Sequence, residues 1–160
     1  MGVLLLGPSG IGKSECALEL VRRGHRLVAD DVVEIERNAA GEAIGRPQPR
    51  LGHHLEVRGL GIVSMPDLFG PDSVCDSARI DLICQLDVPG AEREYERVGI
   101  ERPTESLADV AIPRVTLPAR PGSNIATVVE AAARDQKLRR QGVNAAERFD
   151  ARLRREMAGS

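Results

Sequence analysis

The stretch Val3-Leu4-Leu5-Leu6-Gly7-Pro8-Ser9-Gly10-Ile11-Gly12-Lys13-Ser14-Glu15 decides how this chain folds. Its first four residues form an unbroken apolar run, the pattern of a parallel strand buried on both faces. Behind it a helix is predicted from about Ser14 to Arg23, with Cys16, Ala17, Leu20 and Val21 as its apolar stripe and Gly24 ending it. Between the two, Gly7 to Ser14 spells G-x-x-x-x-G-K-S, and strand, glycine loop and helix are the context such a loop needs. Glycines at 7, 10 and 12 let successive N–H groups converge on phosphate oxygens with no Cβ in the way, and the helix aims its positive end at the same anion. Lys13 adds a mobile charge for the β- and γ-phosphates, and the Ser14 hydroxyl is placed to hold Mg2+. This context separates the motif from a glycine-rich turn that binds nothing.

Outward from the loop, His25 to Asp31 and Val32 to Arg37 read as two strand-like runs that meet at adjacent acids, and Asn38-Ala39-Ala40-Gly41 reads as a turn. Prolines and polar residues from Arg46 to Gly52 predict an irregular loop. Gly59 and Gly61, within His53 to Ile62, imply a tight turn beside a ligand or a close backbone contact. Pro66 to Gly70 reads as one helical turn, and Ala78 to Val88 as the strongest internal strand. The charged segment Gly90 to Ala108 reads as a hairpin or an excursion from the sheet. A strand over Arg114 to Pro118 leads to a helix over Ile125 to Arg140, whose apolar side comprises Ile125, Val128, Val129, Ala132, Ala133 and Leu138. Asn144 and Glu147 give a capping-box-like start to a last helix ending near Met157. The expectation is a single α/β domain over residues 1–160, with a mixed sheet and flanking helices.

Composition narrows the function classes. At 160 residues the chain is one domain by size, and its formal charge of −2 gives no general attraction to nucleic acid or an anionic membrane. Phe69, Tyr95 and Phe149 are its only aromatic residues, too few for base-stacking platforms. The basic residues after Lys137 are interleaved with acids and read as a solvated helix face. Cys16, Cys75 and Cys84 share no metal-ligand spacing and read as small core residues of a reduced, cytoplasmic protein. The apolar start is too short to span a bilayer.

A nucleotide loop needs a carboxylate near its Ser to share the cation, commonly at the end of a neighbouring strand. Asp87 qualifies by position. The pair Asp30-Asp31 qualifies more strongly, because adjacent acids repel unless a cation or a proton donor stands near. Phosphoryl transfer also needs a base for the attacking hydroxyl and positive charge on the equatorial oxygens. Arg58, Arg97 and Arg120 are candidates for that charge by their loop positions, and His53 and His54 are given no role.

The runs Gly7 to Glu15, Arg23 to Asp31 and Leu55-Glu56-Val57-Arg58-Gly59-Leu60-Gly61-Ile62, followed by Tyr95 to Gly99, Arg120 to Asn124 and Gly142 to Ala146, closely resemble the catalytic domain of bacterial HPr kinase/phosphorylase. The resemblance covers nearly the whole chain in order, and Glu56 to Ile62 is its most specific part. It implies a phosphate-loop domain of the phosphoenolpyruvate-carboxykinase-like variant. The implied activity is phosphorylation of a serine of the phosphocarrier HPr by ATP, or in many members by pyrophosphate, together with phosphorolysis of the seryl phosphate by inorganic phosphate. Carried over by motif, Gly7, Pro8, Ser9, Gly10, Ile11, Gly12, Lys13 and Ser14 would bind the nucleotide. Lys13, Asp31 and Arg97 would be catalytic, with Asp31 as proton acceptor in one direction and proton donor in the other. Ser14 and Glu56 would hold Mg2+, and Pro118, Ala119, Arg120, Pro121, Gly122 and Ser123 would serve dephosphorylation. Family members carry a regulatory domain and a catalytic histidine upstream of the first strand, and this chain is expected to lack both. Ser123 stands where many relatives have arginine. Relatives form hexamers, which makes the basic C-terminal helix a candidate for subunit or HPr contact.

Three other readings remain. A GTPase would need an Asn-Lys-x-Asp signature that does not occur here. A small-molecule kinase would need Glu92 to Arg102 as its lid. A nucleotide-binding sensor without catalysis would bind ATP and transfer nothing.

Overall fold

The structure, a computed structural model, describes residues 1–90 and 99–159. Its organising element is the ten-residue strand β6 (Ala78–Asp87), in which Leu82, Ile83, Cys84 and Leu86 are completely buried. β1 (Gly2–Leu6) and β8 (Val110–Pro118) pair with β6 in parallel. β3 (Ala43–Pro47) joins its beginning antiparallel, with β2 (Val33–Arg37) outside it, and β7 (Thr104–Leu107) pairs antiparallel with β8. The result is a six-stranded mixed sheet, as the sequence predicts.

Both faces of the sheet are covered, which is why β1 and β6 read as apolar runs and not as alternating strands. On one face Leu82, Cys84 and Leu86 pack with Cys16 of α1 (Lys13–Arg22) and with Ala126 and Val129 of α3 (Ile125–Arg140). On the other face Leu4, Ala43, Ile80, Ile83 and Ile112 form a second cluster. Ile80 and Leu82 lie on opposite faces because the register slips between Gly2↔Ile80 and Val3↔Leu82, a bulge that takes up Asp81. Asp81 is buried there and accepts from the Gly2 N–H (2.7 Å), Arg79 Nε (2.6 Å) and Arg140 Nη1 (2.6 Å).

A third cluster, Val21, Leu27, Leu55 and Met65, seats a small hairpin against α1. That hairpin is β4 (His54–Val57) and β5 (Gly61–Ser64), followed by the short helix α2 (Met65–Phe69) and one 3-10 turn. Arg23 ties α1 to α3 through Thr127 Oγ1 (2.9 Å) and Asn124 Oδ1 (3.3 Å), and Asn124 caps α3 by accepting from the Thr127 N–H. Asn144 caps α4 (Ala145–Ala158) through the Glu147 N–H, as its spacing predicts.

Several expectations are corrected. His25 to Asp31 is not a strand: its single bridge joins Leu27 to Val74, and Leu27 is spent on the third cluster. The loop expected from Arg46 begins later, because Ala43–Pro47 pairs with β2 residue by residue from Ala43 to Pro47. Val128 and Leu138 of α3 face solvent, and Cys75 is half-buried where Cys16 and Cys84 are in the core. Residues 91–98, within the expected excursion, lie outside the described residues, and Thr104–Leu107 forms a hairpin with β8.

Candidate active site

The phosphate loop leaves β1 at the carboxyl end of the sheet and turns into α1 at Gly12. Gly12 has φ 110°, a left-handed conformation that an L side chain rarely adopts, and no side chain caps the helix it starts. The first-turn N–H groups of α1 are therefore left pointing into the loop, which is what an anion-binding helix start requires. Lys13 lies back over the loop, with Nζ donating to the carbonyls of Gly7 (2.6 Å) and Pro8 (3.1 Å).

The acids come from the segment between α1 and β2. Ser14 Oγ donates to Asp30 at 3.2 Å to Oδ1 and 3.4 Å to Oδ2. The backbone N–H groups of Glu56 and Asp31 also stand near enough to Asp30 to favour its charged form. Burial pushes its carboxyl above the ordinary value, partly countered by these hydrogen bonds. The next residue, Asp31, is exposed and has φ 64°, which is unusual for a residue with a Cβ. The reversal of the chain at Asp31 separates the two acids: Asp30 turns to Ser14, and Asp31 lines the same recess without bonding to it. Local strain of this kind is held in place only where the surroundings over-determine it.

β4 supplies the other wall. Along it Leu55 and Val57 face the third cluster while Glu56 is exposed between them, and exposed Arg58 follows in the turn. Glu56, Arg58, Lys13, Ser14, Asp30 and Asp31 all border one broad recess of about 1770 Å3, which runs on as far as Met1, Glu42 and Lys137. Arg58 goes further than its loop position predicts: its Nη2 lies 3.0 Å from where a Cβ on Gly10 would stand, so the guanidinium abuts the phosphate loop itself. Among the described residues no group of three or more His, Cys, Asp or Glu forms a self-sufficient metal cage. A hydroxyl beside carboxylates is instead the hard-oxygen donor set that suits Mg2+ shared with phosphate oxygens.

The same recess is bordered by Ser14, Lys13, Asp31 and Glu56 together with Asp30, the other acid of the pair, and Arg58, one of the three candidate arginines. The loop from Pro118 to Ser123 stands on another flank, next to Gly10 and Gly12. Arg97 lies outside the described residues. His53 and His54 bond to the carbonyls of Cys75 (3.0 Å) and Leu51 (3.1 Å). The sequence signal for Arg58 is its loop position; nothing local indicates that it reaches Gly10.

Residues 1–153 match the model of the HPr Serine kinase C-terminal domain. The chain is 50% identical over 153 residues to the HPr kinase/phosphorylase of Geobacillus thermodenitrificans and 46% identical to that of Bacillus licheniformis, covering 96% of this chain in each case. It spans about half the length of these curated relatives, 50% and 49%. Its fold is similar to that of the Hpr(Ser) kinase/phosphatase from Coxiella burnetii, with a TM-score of 0.83, 31% identity, and coverage of 93% of this chain and 90% of that one. Family match, sequence similarity and fold agree: the chain belongs to the HPr serine kinase C-terminal domain family.

Proposed function

We propose that this domain transfers the terminal phosphoryl group of ATP to a serine hydroxyl of the phosphocarrier protein HPr. The observation that carries the proposal is the division of labour between neighbouring acids: Asp30 is bonded to the loop's Ser14, while Asp31 next to it in the chain is exposed and makes no bond to Ser14. Asp31 accepts the proton of the serine hydroxyl as its oxygen bonds to the terminal phosphorus, and the bond from that phosphorus to the bridging oxygen breaks to release ADP. In the opposite direction the same carboxyl returns the proton while inorganic phosphate attacks the seryl phosphate and leaves as pyrophosphate. Lys13 and Arg58 bring positive charge to the phosphate oxygens where it develops. Ser14, Asp30 and Glu56 are the residues that would hold Mg2+, which when bound neutralises phosphate charge. Pyrophosphate as an alternative donor fits the same loop, because the loop reads phosphates and not the nucleoside.

The domain is further proposed to work as a homo-oligomer, a hexamer by its likeness to the family, in the cytoplasm. α4 supports assembly: Phe149, Leu153 and Met157, four residues apart, form an exposed apolar stripe on a helix with no buried residue. Among the described residues no helix is long and apolar enough to cross a membrane.

The test is transfer of labelled phosphate from ATP to HPr, with Asp31→Asn as the variant. The rate should fall by about 100-fold or more while ATP binding is kept. An unchanged rate would remove Asp31 from the chemistry, and binding without any transfer by the unaltered protein would leave only a nucleotide sensor.

A further inference from the structure

The hairpin β4–β5 stands outside the six-stranded sheet, as a two-stranded sheet of its own. Its residues Leu55, Val57, Val63 and Met65 seat it against Leu27 and the Val21 side of α1. Apolar contact is non-directional, so it fixes which face is buried and leaves the hairpin able to slide or pivot on that face. A ligand to a cation, in contrast, must be held to within about 0.5 Å. Glu56 sits on this hairpin, so directional bonds have to supply what packing does not.

Those bonds converge on the peptide of Cys75. The Leu27 N–H donates to the Ser73 carbonyl at 2.9 Å and the Cys75 N–H donates to the Leu27 carbonyl at 3.0 Å, which pairs this segment with the one that leads to Asp30. On its other side the Cys75 carbonyl lies 3.0 Å from Nε2 of His53, the half-buried residue just ahead of β4. A carbonyl only accepts, so Nε2 carries the proton, which selects one neutral tautomer of the imidazole. The His53 carbonyl in turn accepts from the Met65 N–H at 3.2 Å, where β5 passes into α2, and this closes the open end of the hairpin. His54 makes no such link: it is exposed, and its bond to the Leu51 carbonyl stays within the preceding turn.

We infer that His53 is a positioning residue: through the Cys75 peptide it locks the hairpin that carries Glu56 to the segment that carries Asp30, and so sets the spacing of the oxygens that would share Mg2+ with Ser14. The inference rests on the metal-holding role proposed above for Ser14, Asp30 and Glu56, and names what keeps that set in place. Glu56 lies three residues beyond His53, and Asp30 three beyond Leu27. The two walls therefore run from a common tie at Cys75 and meet again where the Glu56 N–H stands beside Asp30. Segments held at two points cannot pivot as segments held at one can.

The experiment uses the whole chain in three forms: unaltered, His53→Leu, which removes the donor, and His53→Gln, whose amide nitrogen can stand in for Nε2. Titration calorimetry follows ATP binding in EDTA and over a series of Mg2+ concentrations. His53→Leu should raise the Mg2+ concentration needed for half of the full enhancement by about tenfold, leave ATP binding in EDTA within about twofold, and His53→Gln should recover most of the loss. A hairpin that is merely destabilised would weaken binding alike with and without Mg2+, or lower only the melting temperature. Either result would overturn the assignment, as would Leu and Gln variants that behave the same. Long-range 15N NMR of the unaltered protein needs no variant: at about pH 8 His53 should be the Nε2–H tautomer, and the Nδ1–H tautomer would overturn the inference. If Mg2+ leaves ATP binding by the unaltered protein unchanged, the metal-holding reading itself fails and this inference with it.

Discussion

Asp81 offers the sharpest test of how the scaffold holds the site. Its side chain is 1% exposed, Oδ2 accepts from the Gly2 N–H, and Oδ1 accepts from both Arg79 and Arg140. One carboxylate therefore joins the start of β1, β6 and the last turn of α3, the three elements that frame the phosphate loop from below. Asp81→Asn keeps the shape and removes one acceptor. With its oxygen kept toward the arginines, the new amide meets the Gly2 N–H, donor against donor, at a cost of about 1–2 kcal/mol for the part-buried group. The two arginine bonds lose their charge assistance, about 1 kcal/mol each, and less here because Arg79 and Arg140 are 48% and 39% exposed. The sum is about 2–4 kcal/mol, which in a chain of this size lowers the midpoint of thermal unfolding by roughly 8 °C. Circular-dichroism melts of Asp81→Asn, Arg140→Ala and the double variant provide the assay. A fall under about 2 °C for Asp81→Asn, or strictly additive effects of the two substitutions, would refute the reasoning, since groups sharing one hydrogen bond should couple.

Three further outcomes follow from the geometry. Burial raises the Asp30 carboxyl, so its contribution to stability is full below the unfolded carboxylate value and is lost as pH climbs through the raised folded one. In EDTA, Asp30→Asn should therefore melt higher than the unaltered protein at pH 7, with the difference vanishing towards pH 3, and should lose any stabilisation by added Mg2+; a pH-independent change would contradict this. The β7–β8 hairpin turns at Ala108 and Asp109, both left-handed at φ 49° and 60°, so replacing them with Asn-Gly should stabilise by about 1 kcal/mol, seen as a higher urea midpoint with nucleotide affinity unaltered. Burial pushes the thiol of Cys16 to about 11 and that of Cys84 to about 12, so at pH 8 a thiol reagent should label only half-buried Cys75 in the native chain, and all three after denaturation.

Much of the molecule is legible in the sequence, and the unread parts share a cause. The loop from Gly7 to Ser14 is encoded by neighbours: glycine conformations, a helix start and a lysine six residues from the carbonyl it reaches are all local. The caps at Asn124 and Asn144 and the apolar strand β6 are local in the same sense. Strand β3 is obscured by Gly45 and Pro47, which lower strand propensity, and it exists because β2 and β6 offer partners on both sides. His25 to Asp31 misleads in the opposite way: it has the composition of a strand, but its buried Leu27 serves a cluster with α1 and β4, and a single bridge is all the pairing it makes.

By itself the sequence determined a phosphate-loop motif at a strand-to-helix turn and, through the run from Glu56 to Ile62, which family the chain resembles. Only the tertiary structure decided that Asp30 and not Asp31 bonds to Ser14, that Arg58 abuts Gly10, and that His53 bonds to the Cys75 carbonyl. The first kind of information lies in hydrogen bonds and torsions spanning a few residues. The second depends on burying Leu55 against α1 and Leu86 beneath it, contacts whose partners lie tens of residues apart and leave no periodic trace in the chain.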